Sequence, residues 1–200
     1  MSQLLLQGEV SNNWKCSGLA GFVITFSHFP KNKDKFVRLI EFFKEVLNIC
    51  GELNITPVLS GSLAVFVYTA AQEMDVNDVD LSCSETEFPR IINALEARDI
   101  SYRLRAWHVL EIIRDDLKVE FDSVEYWYKD LPVECEILQV DNYRVNMLGL
   151  NSLIEFYRKG MNDRVGKTDE NEKTKYEALK LKFEMLEKIK ARNSKGTSDS

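Results

Sequence analysis

The sequence predicts an α/β (α+β) fold, with a small mixed β-sheet flanked by helices and followed by a C-terminal helical segment. Three observations predict it. Apolar residues recur every three to four positions over 35–50, as on one face of a helix. Segments between 100 and 147 alternate apolar and polar residues, as strands do. The stretch 172–190 combines strong helix formers with an apolar stripe, which is typical of a packing helix.

Composition indicates one globular domain with a helical appendage. The chain has 200 residues, 44% of them apolar, which is enough to bury a sizeable core. We expect a core over 1–150, a helical segment over 151–192 and a disordered tail over 193–200. The net charge of -6 argues against bulk electrostatic binding of nucleic acid. The four cysteines form no C-x-x-C pair, and no apolar run is long enough to span a membrane, so we expect a cytoplasmic protein.

In the first half of the chain, helices and strands alternate. Residues 4–6 fit either a strand or a helix, and the apolar stretch 21–26 predicts a short strand. After the helix over 35–50, the stretch 55–59 predicts a buried strand, and 64–71 predicts an apolar helix.

In the second half, hairpins dominate. A strand over 76–83 precedes Ser84, which begins a capping-box pattern ahead of a helix. Segments 100–104 and 108–112 alternate, and 117–124 follows a turn, which predicts a hairpin. A second extended pair is expected over 134–147, and Asn151 is the expected cap of the next helix. The strands at 134–140 and 143–147 are joined across an Asp-Asn turn.

Two short patterns carry candidate chemistry. Gly61-Ser62 closes an apolar run and opens a helix, whose first free amide groups can bind a phosphate. Asp78 and Asp80 are two positions apart in the next predicted strand, so their side chains share one face. Paired carboxylates suit magnesium, which also takes water and phosphate oxygens as ligands. Each pattern also has an ordinary interpretation, a turn with a cap and a solvated strand end.

In this order and spacing, the two patterns resemble the signature of the DNA polymerase β-like nucleotidyltransferase superfamily. The resemblance implies that Gly61 and Ser62 contact the phosphates of a nucleoside triphosphate and that Asp78 and Asp80 bind two Mg2+ ions. It also implies a third carboxylate on a neighbouring strand, which binds the second ion and acts as a base. Asp122 is favoured for this role, and Glu120 stays open because it shares the same strand face.

The region after 140 resembles small bacterial nucleotidyltransferases, including abortive-infection toxin–antitoxin and aminoglycoside nucleotidyltransferase types. In that group, basic residues on the trailing helices help to bind the triphosphate. The resemblance therefore implies phosphate-binding roles for Lys159, Arg164 and Lys167, with Arg158 beside them. The ordinary alternative for each is a solvent-facing charge.

The predicted function is transfer of a nucleoside monophosphate, from ATP or another triphosphate, to an acceptor hydroxyl with release of pyrophosphate. A small molecule, a transfer RNA end and a protein side chain are all compatible acceptors. An antitoxin and a second copy of the chain are candidate partners, and no membrane partner is expected. The alternative is a non-catalytic module that keeps the fold and recruits a protein. It is motivated by the lack of a basic residue between 69 and 77, where many members have an arginine.

Overall fold

A computed structural model describes residues 15–23 and 29–196 of the chain. The strands in this part are β1 (Lys15–Val23), β2 (Val58–Leu59), β3 (Val79–Cys83), β4 (Ser101–Arg105), β5 (Val109–Arg114), β6 (Leu117–Ser123), β7 (Glu134–Val140) and β8 (Tyr143–Leu148). The helices are α1 (Lys33–Glu52), α2 (Gly61–Thr69), α3 (Phe88–Glu96), α4 (Val124–Trp127), α5 (Leu150–Asn162) and α6 (Glu170–Gly196), with a 3-10 turn at Glu85–Glu87.

All eight described strands form one mixed sheet in the order β1-β7-β8-β2-β3-β6-β5-β4. The pairs β1–β7, β2–β8 and β3–β6 are parallel, and the other four pairs are antiparallel. The predicted α+β class with a mixed sheet is confirmed. The sheet is larger than expected because both predicted hairpins and the first strand join it. Strands β2, β3 and β6, which carry the candidate site, lie together near its centre.

One face of the central strands is apolar and packs in the same core as α1. Val79 and Leu81 of β3 and Val119 and Phe121 of β6 are fully buried, and α1 contacts β6. Each such side chain contributes about 1.5–3 kcal/mol when it leaves water. Strand alternation then directs the residues between them, including both predicted carboxylates of β6, to the opposite face.

The opposite face is bounded by the C-terminal helices. Helix α6 packs on α5 and on α2, so the helical segment contacts the predicted phosphate turn. Tyr157 of α5 and Leu186 of α6 are buried there. Within the described residues, no helix has the length and apolar character needed to cross a membrane.

Four sequence predictions are corrected by the structure. Asp78 lies one residue before β3 instead of inside it. Gly149 caps α5 and Asn151 lies within the helix, because the Leu153 amide already donates to the Gly149 carbonyl oxygen at 2.9 Å. Helix α2 ends at Thr69, before the predicted 71, because Ala70 turns left-handed with φ of 49°. Helix α6 continues to Gly196, four residues into the expected tail, since no proline or glycine interrupts it earlier.

Some predictions fall outside the described residues. These are the segment 4–6, the second half of the strand expected over 21–26, and the end of the expected tail, 197–200.

Candidate active site

The turn between β2 and α2 is built around a glycine that another residue cannot replace. Gly61 has a φ of +62°, which L-amino acids with side chains rarely adopt. A Cβ atom placed on it would lie 1.6 Å from Oδ2 of Asp80. The Ser60 amide donates to the Asp80 carbonyl oxygen at 2.8 Å, which fixes the turn against β3. The turn and the carboxylate of Asp80 are therefore one unit, as the two sequence patterns suggested.

Three carboxylates converge beside this turn. Asp78, Asp80 and Glu120 each offer an oxygen atom, and these atoms all lie within 4.8 Å of one another. The parallel register explains the convergence, because Asp80 of β3 is the partner of Glu120 in β6. Asp122 pairs with Ser82, one step further along the same face. Glu120 is thus the third member of the cluster, and Asp122, which the sequence favoured, lies beside it.

A lysine lies inside the carboxylate cluster. Lys118 Nζ is 2.6 Å from Oε1 of Glu120 and 3.3 Å from Oδ2 of Asp78. Burial alone would lower the pKa of Lys118, but the hydrogen bond with Glu120 and the charges of Glu120 and Asp78 outweigh it and raise that pKa. The side chain therefore stays an ammonium ion at neutral pH.

Burial and mutual repulsion disfavour the charged form of the carboxylates in this cluster. Burial raises the pKa of Asp80 well above its usual value, and the charges of Asp78, Asp122 and Glu120 raise it further. Burial, followed by the charges of Glu120 and Asp78, raises the pKa of Asp122 to about 7. Burial also raises the pKa of Glu120, against the opposing effect of Lys118. Such a cluster needs bound protons or a cation for its charges. A hard divalent cation that prefers oxygen ligands fits this donor set.

A second lysine connects the C-terminal helix to the turn. Lys182 Nζ of α6 donates to Oγ of Ser62 at 2.7 Å and lies 5.8 Å from the centre of the Tyr157 ring. Its charge acts to lower the pKa of Asp80. The sequence analysis did not identify Lys182. The available signal was its position three residues after Leu179 and four before Leu186, on the inward stripe of the helix. The other lysines between residues 170 and 190 are exposed.

The basic residues that the resemblance implicated make other contacts. Lys159 Nζ lies 3.4 Å from the Trp127 carbonyl oxygen. Arg164 donates to the Gly160 carbonyl oxygen at 2.8 Å. Arg164 and Lys167 lie 3.5 Å and 3.3 Å from Oε2 of Glu172 across the connection between α5 and α6. Arg158 pairs with glutamates of α5 and α6. Their phosphate-binding roles stay predictions.

Beyond Glu120, the same sheet face becomes basic. Glu111 of β5 is the cross-strand partner of Glu120 and of Arg103 in β4. The buried carboxylate of Glu111 lies 2.9 Å from Nε of Arg105 and 3.7 Å from Nε of Arg103. Arg105 also lies over the half-exposed ring of Trp107, 5.5 Å from its centre. Two guanidinium groups thus share one carboxylate at the outer edge of the site.

The eight-stranded mixed sheet and the three convergent carboxylates define an α+β protein with a candidate metal site beside the start of a helix. The chain aligns with an antigenic nucleotidyltransferase-like protein from Paracoccidioides brasiliensis at a TM-score of 0.52 and 10% identity, over 78% of this chain and 77% of that one. A lincomycin-bound lincosamide antibiotic adenylyltransferase gives a TM-score of 0.49 and 12% identity, over 74% and 96% of the two chains. The antibiotic-resistance factor ANT(2'')-Ia gives 0.48 and 10%, over 82% and 95%.

Neither the family models nor the curated proteins searched give a match to the chain. At these identities, the likeness to the Paracoccidioides protein establishes the fold. The chain has the fold of a nucleotidyltransferase-like protein, so the resemblance seen in the sequence is confirmed at the level of the fold.

Proposed function

We propose that the protein is a metal-dependent nucleotidyltransferase that transfers a nucleoside monophosphate from a nucleoside triphosphate to an acceptor hydroxyl and releases pyrophosphate. One observation carries this proposal. The Gly61 turn, which opens a helix, lies directly against Asp80, one of three carboxylates that converge within 4.8 Å. A phosphate-binding turn and a metal-binding cluster in contact are the two parts that nucleotidyl transfer requires.

Asp78, Asp80 and Glu120 are the residues that would hold Mg2+. Their donor set is made only of carboxylate oxygens, which magnesium prefers and which softer metals do not select. When bound, Mg2+ supplies positive charge to the phosphate oxygens at the reacting phosphorus.

Three groups around the turn would hold the triphosphate. The first free amides of α2 point out of the helix start at Gly61 and favour an anion. Ser62 Oγ and Lys182 Nζ already contact each other there at 2.7 Å. A phosphate oxygen that accepts from both would replace that contact with two charge-assisted hydrogen bonds. Lys182 is thus a further candidate for the phosphate-binding role that the sequence analysis gave to Lys159, Arg164 and Lys167.

In the reaction, the acceptor oxygen forms a bond to the α-phosphorus of the nucleotide. The bond from that phosphorus to the bridging oxygen breaks, and its electron pair leaves with pyrophosphate. The acceptor proton goes to Asp122, which lies beside the carboxylate cluster on the same face of β6 and is the carboxylate that the sequence favoured as the base. Glu120 is in register with Asp80 and so lies on the side of the site where the metal would bind.

The acceptor would approach over β6, β5 and β4, on the side of the carboxylates away from the Gly61 turn. On this path it meets Arg103 and Arg105, which share the single carboxylate of Glu111. This arrangement favours a neutral or anionic acceptor, such as an uncharged small molecule or an RNA end, over a polycation. A protein side chain also stays a candidate acceptor.

The proposal is tested by thermal unfolding with each nucleoside triphosphate, with and without Mg2+, for the wild type and Asp78→Asn/Asp80→Asn. A nucleotide at a hundred times its dissociation constant stabilises by about 2.7 kcal/mol, which raises the melting temperature of a chain of this size by roughly 5–10 °C. We expect a magnesium-dependent rise that the double variant lacks. Asp130→Asn, an exposed position away from the cluster, should keep the rise.

The alternative, a non-catalytic module that recruits a protein, predicts no magnesium-dependent shift with any triphosphate. A pyrophosphate assay across a panel of acceptors separates the two further. Pyrophosphate release by the wild type above the Asp78→Asn background supports the enzyme. Nucleotide binding without release for any acceptor in a broad panel would count against transfer.

A further inference from the structure

The carboxylate cluster contains the ammonium group of Lys118, and this affects how many metal ions the site can bind. Lys118 and Glu120 are two positions apart on β6, so both side chains lie on the site face. The ammonium group lies between Glu120 and Asp78, which belong to neighbouring parts of the sheet. This is the place where a cation shared by the two carboxylates would lie.

Distances limit what else can bind there. Lys118 Nζ is 2.6 Å from Oε1 of Glu120. A magnesium ion bound to that oxygen at the usual distance of about 2.1 Å would lie within about 4.7 Å of the ammonium nitrogen. Such a short separation between a divalent and a monovalent cation is strongly repulsive in a half-buried site. Glu120 can therefore bind the ammonium or a second divalent ion, but not both at close range.

Asp80, the carboxylate nearest the predicted phosphate turn, does not have this conflict. Asp78 has a weaker form of it, because its Oδ2 atom is 3.3 Å from Lys118 Nζ, against 2.6 Å for Oε1 of Glu120. Asp80 is in contact with the Gly61 turn and forms no ion pair with Lys118, which approaches the cluster from the Glu120 side. Asp78 and Asp80 together retain free carboxylate oxygens for one ion next to the triphosphate.

We propose that Lys118 takes the place of one of the two metal ions, so that the protein works with a single divalent ion held by Asp78 and Asp80. The inference rests on the proposed function, departs from the two-ion site that the resemblance implied, and replaces the metal-ligand role given to Glu120 above with an ion pair to Lys118. Lys118 then acts as a positioning residue, which holds Glu120 and Asp78 in place without contributing a metal ligand.

The test is a Mn2+ titration followed by electron paramagnetic resonance, which measures free Mn2+ and so gives the number of bound ions by difference from the total added. The titration uses the full chain saturated with a triphosphate analogue that cannot be cleaved between its α- and β-phosphates, and a sample of the analogue alone corrects for ions bound to it in solution. We expect one ion per wild-type complex and two per Lys118→Met complex. Lys118→Arg should keep one ion, and Lys129→Met, at an exposed position, is the matched control.

Two ions in the wild type would overturn the inference, as would one ion in a folded Lys118→Met variant. If Lys118→Met does not fold, as judged by its unfolding transition, Lys118→Gln replaces it, and the wild-type count alone still decides. The failure of the proposed function looks different. If the wild type binds no nucleotide at any Mn2+ concentration, the proposed function is wrong. If it binds nucleotide together with two ions, only the role proposed for Lys118 is wrong.

Discussion

Substitution of Gly61 by alanine tests the close packing between the predicted phosphate turn and β3, which carries the predicted metal ligand Asp80. An alanine at a φ of +62° costs roughly 1–2 kcal/mol from backbone strain alone. The added Cβ would lie 1.6 Å from Oδ2 of Asp80, less than half of an ordinary contact distance. Relief of this overlap adds at least about 1 kcal/mol. We therefore expect a loss of at least about 2 kcal/mol, which lowers the melting temperature by roughly 4–8 °C.

The same overlap has a functional consequence. To reach ordinary contact, the Asp80 carboxylate must move by about 1.8 Å, and a misplacement of about 1 Å can cost about a hundredfold in rate. We expect Gly61→Ala to lose the magnesium-dependent nucleotide shift and at least about a hundredfold in pyrophosphate release. Gly51→Ala is the matched control, because no atom lies within 4 Å of its added Cβ.

A double-mutant cycle separates steric overlap from backbone strain. In an Asp80→Ala background the two closest of the three nearest atoms are removed, and the Cβ atom of residue 80 stays at 2.7 Å. The stability cost of Gly61→Ala, measured by urea unfolding, should then fall toward the strain contribution of roughly 1–2 kcal/mol. An equal cost in both backgrounds would refute the argument that Asp80 requires a glycine at this position.

Three further predictions concern the fold and the acceptor. Arg114 lowers the pKa of Glu45 by a bidentate hydrogen bond. This pair therefore stabilises the protein at pH values above the unfolded pKa of Glu45, which is about 4.5. The stabilisation is lost as the pH falls through the lower pKa of Glu45 in the folded protein. Urea unfolding should show Glu45→Gln costing up to about 1 kcal/mol at pH 7 and nothing at pH 3. Ser152→Ala should cost about 1–3 kcal/mol in the same assay, because the buried hydroxyl accepts from one backbone amide at 2.8 Å and donates to a carbonyl oxygen at 3.0 Å. In kcat/KM measurements, Arg103→Gln/Arg105→Gln should reduce activity on an anionic acceptor and spare an uncharged one. A wild type that prefers a polycation would contradict the argument from the basic edge.

The sequence was sufficient for the parts of the site that are local in the chain. The turn at Gly61 and Ser62 was predictable because a glycine ends a buried strand and opens a helix there, whereas its phosphate-binding role came from the resemblance and stays a prediction. Asp78 and Asp80 followed from strand alternation, although Asp78 lies just outside the strand. The hairpin of β5 and β6 was predictable because both strands alternate around a short turn.

The sequence was insufficient where distant segments meet. Glu120 and Asp122 share one strand face, and only the register of β6 against β3 pairs Glu120 with Asp80. That register is determined by the packing of the apolar faces of both strands, forty residues apart in the chain. Lys182 was missed for the same reason, because its partner Ser62 is 120 residues away.

The contact between Ser62 and Lys182 also has a consequence for the synthesis of the protein. A ribosome that adds about 5–20 residues per second needs roughly 6–24 s to pass from one residue to the other, given their separation of 120 positions. During that interval the nascent chain already contains the Gly61 turn, and later Asp80 too, but not the lysine that completes the phosphate pocket. All the contacts proposed for the nucleotide therefore exist only once translation has passed residue 182, so that synthesis itself would delay the start of the proposed activity.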